Sequence, residues 1–303
     1  MRNFKTQISS ALVILLMAFF FISCVNGKHD EAKSATETAE TETAEIADLP
    51  YNLENPVKFN MPQNLFEISG IVFHNGDPKQ VFAIQDEDGD LFYLGLNDKQ
   101  SKYTKFGSKG DYEDLTIIKN QIIVLKSNGE LHMFPISEIS KPEAANVIKI
   151  KDLVPKAEYE GLAADEKAGK IYILTKGSKS DEKNKATSIY AFEFSADNTL
   201  KPAGTFSLPF SEIEALSGTK KIKFKPSALA KNPSTNEWYI LSSVNKLLIV
   251  TDDNFKIKAA YPLKGGNFNQ PEGIAFDKDN NLYISNEGGT LAAGDILQFK
   301  LKK

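Results

Sequence analysis

The chain of 303 residues sets 36 Lys and Arg against 40 Asp and Glu, for a net charge of −4, and 41% of it is hydrophobic. That apolar content is enough for a sizeable core, and the absence of cationic excess excludes a polybasic nucleic-acid binder. A single cysteine excludes an intramolecular disulfide framework and any zinc centre built on several thiolates.

Arg2 and Lys5 precede an unbroken apolar run over residues 11–22. Twelve residues cannot cross a hydrocarbon core of about 30 Å, which takes roughly 20, but they suit an export signal. The run ends Phe21-Ile22-Ser23-Cys24, and Cys24 is the lone cysteine. The phrase resembles a bacterial lipobox, with Phe21 where Leu is usual, so residues 1–24 are expected to be a lipoprotein signal peptide and Cys24 the lipidated mature N-terminus. A plain signal-peptidase site near Cys24 is the alternative. Several acyl chains on one cysteine give stable attachment, because each buried CH2 contributes about 0.8 kcal/mol. The expected location is therefore the bacterial cell envelope, on the outer membrane, facing either the periplasm or the surface.

Residues 25–50 repeat Thr-Glu-Thr-Ala-Glu at 36–40 and 41–45, with seven acidic residues against Lys28 and Lys33. So few bulky apolar groups cannot offset the entropy of ordering, and the segment is expected to be a disordered acidic tether. Lys28-His29-Asp30-Glu31 resembles lipoprotein surface-export signals, and it reads equally as an ordinary solvated charge cluster. The signal carries two positive charges and the tether a net of minus five, which leaves minus one for the body. Lys220-Lys-Ile-Lys-Phe-Lys225 is basic but alternates, as the wet face of a strand would. No nucleic-acid footprint is expected.

From Tyr51 to Lys303 one phrase recurs: Glu67-Ile-Ser-Gly-Ile71, Asp111-Tyr-Glu-Asp-Leu115, Glu158-Tyr-Glu-Gly-Leu162, Lys225-Pro-Ser-Ala-Leu229 and Gln270-Pro-Glu-Gly-Ile274. Successive starts lie 44, 47, 67 and 45 residues apart, the period of a four-stranded propeller blade. Each phrase leads into an apolar strand, a polar turn and further strands; Asp86-Glu-Asp-Gly-Asp90 and Ser127-Asn-Gly129 are hairpin turns. The acidic turn lacks the 12-residue span and terminal Glu of an EF-hand loop. The spacing predicts an all-β propeller over residues 51–303, with four-stranded blades. Five blades is the favoured count and six the alternative. The fifth module supplies only three strands, and residues 56–60 are expected to close the ring as its missing edge. The excess of the third module, residues 177–186, reads as a mobile polar rim loop.

Tyr-Glu-Gly-Leu, Pro-Ser-Ala-Leu and Pro-Glu-Gly-Ile-Ala-Phe-Asp, followed by strands such as Leu-Tyr-Ile-Ser-Asn-Glu, resemble the YjiK-type SdiA-regulated propeller family, also grouped with calcium-regulated propellers. The similarity spans roughly residues 60–303, and the Pro-Glu-Gly-Ile phrase is shared with NHL-repeat and gluconolactonase-type propellers. The resemblance implies an exported or membrane-associated bacterial propeller with links to calcium and to phytase-like hydrolysis.

The first strand of each blade lines the central channel, so the five phrases place Ser69, Glu113, Glu160, Ser227 and Glu272 in one ring at a channel mouth. Three converging carboxylates require a positive partner. Candidates are Ca2+, a cationic ligand group, or Lys126 and Lys176 at the ends of second strands. Glu113, Glu160, Glu272, Asn286 and Asp86 form the candidate metal set. His132 falls on a strand, and Tyr112 and Tyr159 are expected to pack between blades. No zinc spacing or nucleophile elbow occurs. Two readings of function follow. The first is a lipid-anchored, monomeric binding or scaffold module for a small polar or cationic ligand or another envelope protein. The second is a Ca2+-dependent, lactonase-like or phytase-like hydrolase with Glu160 or Glu272 as catalytic residues.

Overall fold

The computed structural model describes residues 48–289 and 293–302. The expected signal peptide, Cys24 and most of the expected tether lie outside the described residues. Within the described part the chain opens with strand β1 (Val57–Asn60) and then lays down four complete antiparallel blades. Blade one is β2 (Ile68–Phe73), β3 (Val81–Gln85), β4 (Asp90–Leu94) and β5 (Lys102–Lys105). Blade two is β6 (Tyr112–Ile118), β7 (Gln121–Lys126), β8 (Leu131–Pro135) and β9 (Ile148–Ile150). Blade three is β10 (Glu158–Asp165), β11 (Lys170–Gly177), β12 (Ala186–Phe194) and β13 (Leu200–Pro209). Blade four is β14 (Ala228–Lys231), β15 (Trp238–Ser242), β16 (Leu247–Thr251) and β17 (Ile257–Pro262). Blade five holds β18 (Pro271–Phe276), β19 (Leu282–Asn286) and β20 (Asp295–Phe299), and β1 completes it by pairing with β20. The inner strands β2, β6, β10, β14 and β18 neighbour one another in order, and β18 returns to β2. The protein is a five-bladed β-propeller closed by an N-terminal strand.

The apolar runs of the second strands follow from this packing. A strand sends alternate side chains to opposite faces, and each face of a blade meets a different neighbour. In β11, Ile171 and Ile173 pack toward blade two while Tyr172 and Leu174 pack toward blade four. In β15, Trp238 and Ile240 face blade three, and Tyr239 and Leu241 face blade five. Both faces are buried, so the sequence shows no polar alternation there. His132 is 2% exposed and sits edge-on to Tyr112 and Phe106 between blades. Tyr112 and Tyr159 are buried as well, their hydroxyls donating to the Ser108 and Pro155 carbonyls.

Two expectations about the third module need correction. The stretch read as a mobile rim loop contains helix α1 (Lys179–Asn184), capped by Ser178 and anchored by the buried Asp181, which accepts from Thr175 and Ser188. A second helix, α2 (Phe210–Ser217), follows β13 and buries Ile213. The basic stretch at 220–225 alternates as expected, with Ile222 and Phe224 buried, but it pairs with no strand. No helix among the described residues is long and apolar enough to cross a membrane.

Candidate functional site at the channel mouth

The inner strands crowd the axis. A Cβ on Gly70 would strike Asp114, and one on Gly273 would lie 2.5 Å from the Ser69 carbonyl oxygen. Small residues therefore follow the ring position in four blades, as Gly70, Gly161, Ala228 and Gly273. Blade two carries Asp114 instead. It is 3% exposed and accepts the Leu115 and Leu162 amides, both at 2.8 Å, which ties blade two to blade three.

The ring residues themselves leave the ladder. Register shifts between Tyr112 and Asp114, between Tyr159 and Gly161 and between Pro271 and Gly273 make Glu113, Glu160 and Glu272 the extra residue of a β-bulge. A bulge re-aims its side chain while the flanking pairs hold, which explains how long carboxylates reach a crowded axis. The two serines serve the scaffold. Ser69 donates to the Glu113 carbonyl at 2.5 Å and Ser227 to the Pro271 carbonyl at 2.7 Å. They bridge adjacent inner strands and hold the bulges in place.

Lys176 lies at the centre of the acids, with its ammonium 2.5 Å from Glu160 Oε1. Burial opposes that charge, but the hydrogen bond to Glu160 and the negative charges of Glu160, Glu113 and Glu272 together overcome it and raise the Lys176 pKa. Glu113 is pushed up to about 9, first by burial and then by the negative charge of Glu160. Glu160 is also raised by burial, against the pull of Lys176, and it accepts a hydrogen bond from Glu113. With both carboxyls raised by burial, the pair favours holding a proton between them at neutral pH. Glu272 is raised to about 7 by burial and by Glu160, and it bonds the Ser243 hydroxyl. A cavity of about 300 Å3 opens beside it, lined by Lys176, Lys225, Lys246, Ser227 and Ser243.

Beneath the ring, Ile71, Leu115, Leu162, Leu229 and Ile274 contribute one buried apolar side chain from each inner strand. They also border a separate cavity of about 420 Å3 at the opposite mouth.

Three sequence expectations fail at the site. Lys126 does not neutralise Glu113, because its ammonium sits 5.3 Å above the Tyr112 ring. Asn286 donates its NH2 to Asp295 and the Asn267 carbonyl, leaving its buried Oδ1 without a partner among the described residues, and Asp86, whose buried Oδ1 is likewise unpartnered, groups with Glu87 and Asp111 instead of the glutamate ring. The five-member metal set therefore does not assemble. Among the described residues no group of three or more His, Cys, Asp and Glu is arranged to hold a metal ion. Lys176 fills the place a divalent cation would take, so these residues do not fit calcium.

The family model described as SdiA-regulated matches residues 51–290. The fold is similar to a glutaminyl cyclase from Myxococcus xanthus, with 16% identity, a TM-score of 0.55 and coverage of 81% of this chain and 94% of that one. It is also similar to the calcium-binding protein regucalcin from Agrobacterium tumefaciens, with 13% identity, a TM-score of 0.47 and coverage of 84% and 97%. No curated protein matches the sequence. At these identities the solved structures speak to the fold alone, whereas the family match spans most of the propeller: the chain belongs to the SdiA-regulated family.

Proposed function

We propose that this protein is a binding module of the bacterial cell envelope, anchored through a lipidated Cys24, whose acidic mouth captures a small ligand through a cationic amine. The supporting observation is the imbalance at the mouth: Glu113, Glu160 and Glu272 face Lys176, and burial raises all three carboxyls. An ammonium group entering beside Glu113 and Glu272 would stabilise their ionised forms and displace protons. An organic amine is favoured over calcium because a lysine already stands between the carboxylates.

Calorimetric titration with putrescine at pH 7.5, in two buffers of different ionisation heat, tests this reading. The expected result is saturable binding with release of about one proton per ligand, a release that disappears in Glu113→Gln. Absence of binding, or unchanged proton release in Glu113→Gln, defeats it. Saturable binding of CaCl2 with none of putrescine would move the reading to a metal site.

One observation favours a second reading, hydrolysis without a metal. Glu272 has its pKa near 7 and bonds the Ser243 hydroxyl, a pairing suited to a general base. Turnover of p-nitrophenyl esters or lactones that Glu272→Gln abolishes would support it, and its absence across both classes would end it.

A further inference from the structure

We infer that the groove between blades three and four, which shares Lys176 and Lys225 with the cavity beside Glu272, is a further binding site, for an acidic oligosaccharide. The groove is a cavity of about 1010 Å3 bordered by α1, the start of α2 and the segment 221–225. Lys221, Lys223 and Lys225 project from that segment while Ile222 and Phe224 bury themselves in the core between the blades. In extended chain, residues two apart stand about 6.6 Å from one another, which spaces Lys223 and Lys225 along one wall, and Lys221, in a left-handed bend with φ 55°, precedes them on the same cavity.

The row is held without a neighbouring strand. The Glu214 carboxylate accepts the Ile222 amide at 2.8 Å, and Asn245 accepts the Lys225 amide at 2.9 Å. Thr187 donates to the Phe224 carbonyl at 3.3 Å. Side chains from three directions thus fix an otherwise unpaired backbone, which presents the lysines in a preset order.

The opposing wall adds Lys179 and Lys185. None of these five lysines forms an ion pair within the described residues. Four carboxylates also border the cavity. Asp181 is buried on Thr175 and Ser188, and Glu214 is engaged with the Ile222 amide, which leaves Glu158 and Glu182 facing the open space. The accessible charge is therefore cationic, on a body whose net charge is close to zero.

Half-buried Phe210 offers a ring face, and Ser211 and Asn184 offer hydrogen-bonding groups in the same groove. A row of cations beside an aromatic face and hydroxyl and amide groups matches a chain of uronic acid sugars. Lysine ammonium groups satisfy spaced single carboxylates as point charges, without the planar fork that arginine supplies.

The test is calorimetric titration of the full-length protein with hexagalacturonate at 50 and 300 mM NaCl. Binding is expected at low salt, weakening about tenfold at the higher salt, with none for neutral maltohexaose. Lys221→Gln/Lys223→Gln/Lys225→Gln should weaken it about tenfold or more with its melting temperature unchanged, and the corresponding triple Arg variant should retain it. Control substitutions Lys99→Gln/Lys102→Gln/Lys105→Gln on blade one should leave it unaltered, as should Glu113→Gln at the acidic mouth. No binding at 50 mM NaCl, equal loss in both lysine triples, or binding of inorganic polyphosphate with none of hexagalacturonate would overturn the assignment.

Discussion

Replacing Glu113 by Gln should stabilise the protein, and increasingly so as pH rises. A carboxyl whose pKa is higher folded than unfolded makes the folded state bind more protons. Its favourable contribution is complete below the unfolded value and is lost as pH climbs toward the folded one. For Glu113 the window runs from 4.5 to about 9. At pH 7.5 the chain is three units above the unfolded value, which corresponds to about 4 kcal/mol at 1.36 kcal/mol per unit. Water at the open mouth screens part of this, and about 2 kcal/mol is the expected net effect. Gln keeps a donor for Glu160 and cannot ionise, so the variant escapes the penalty. For a domain of this size that gain is a rise of about 4–8 °C in melting temperature at pH 7.5, shrinking to nothing near pH 4.5. Melting curves of both proteins from pH 4.5 to 9 provide the assay. Parallel curves, or destabilisation that grows with pH, would refute the protonated Glu113.

Lys176→Met strands Glu160 without its cation. The loss should be about 2–3 kcal/mol at pH 8 and smaller at pH 5, since burial favours the protonated form of Glu160; urea unfolding at the two values measures the difference. Gly273→Ala drives a methyl against the Ser285 hydroxyl and the Ser69 carbonyl. It should cost about 3 kcal/mol or more, while Gly177→Ala, with open space around its Cβ position, should change stability by less than about 0.5 kcal/mol in the same denaturation assay.

The architecture was legible because the inner strands repeat one signature: a small residue directly after the ring position in four blades and an apolar one two residues beyond the ring position in all five. Five phrases gave five blades, and the three-stranded last module announced its closure by residues 56–60. Helices α1 and α2 were missed for lack of length: six and eight residues are too few for a helical period to stand out. The 220–225 stretch shows how a period of two reports an extended chain and not a sheet, since side chains of Glu214, Asn245 and Thr187 replace the ladder. At the site, the ring positions were readable but the polar partners were not. Lys126 and Lys176 occupy the same strand end in successive blades, yet one lies over a tyrosine ring and the other between carboxylates. That choice depends on side-chain rotation above a bulge, which no linear spacing encodes.

Asp114 links the scaffold to the chemistry. Where other blades place Gly or Ala, blade two buries a carboxylate whose two oxygens each hold an amide, one in its own strand and one in β10. Its pKa stands well above the usual carboxylate range because it is enclosed, so this stitch is not a low-energy way to join two strands. Its neighbours explain the arrangement. Asp114 directly follows Glu113, and the amide it holds belongs to Leu162, two residues beyond Glu160. Fixing Asp114 against Leu162 fixes the offset between two bulges on different blades, and that offset determines whether Glu113 can donate to Glu160 or merely repel it. No sheet hydrogen bond connects β6 to β10, so the offset rests on the Asp114 stitch together with the Tyr159 amide, which donates to the Ser127 carbonyl of blade two at 2.9 Å. The buried acid therefore acts as a positioning residue for the pair above it, and the carboxyl pair is a property of two blades held at one separation.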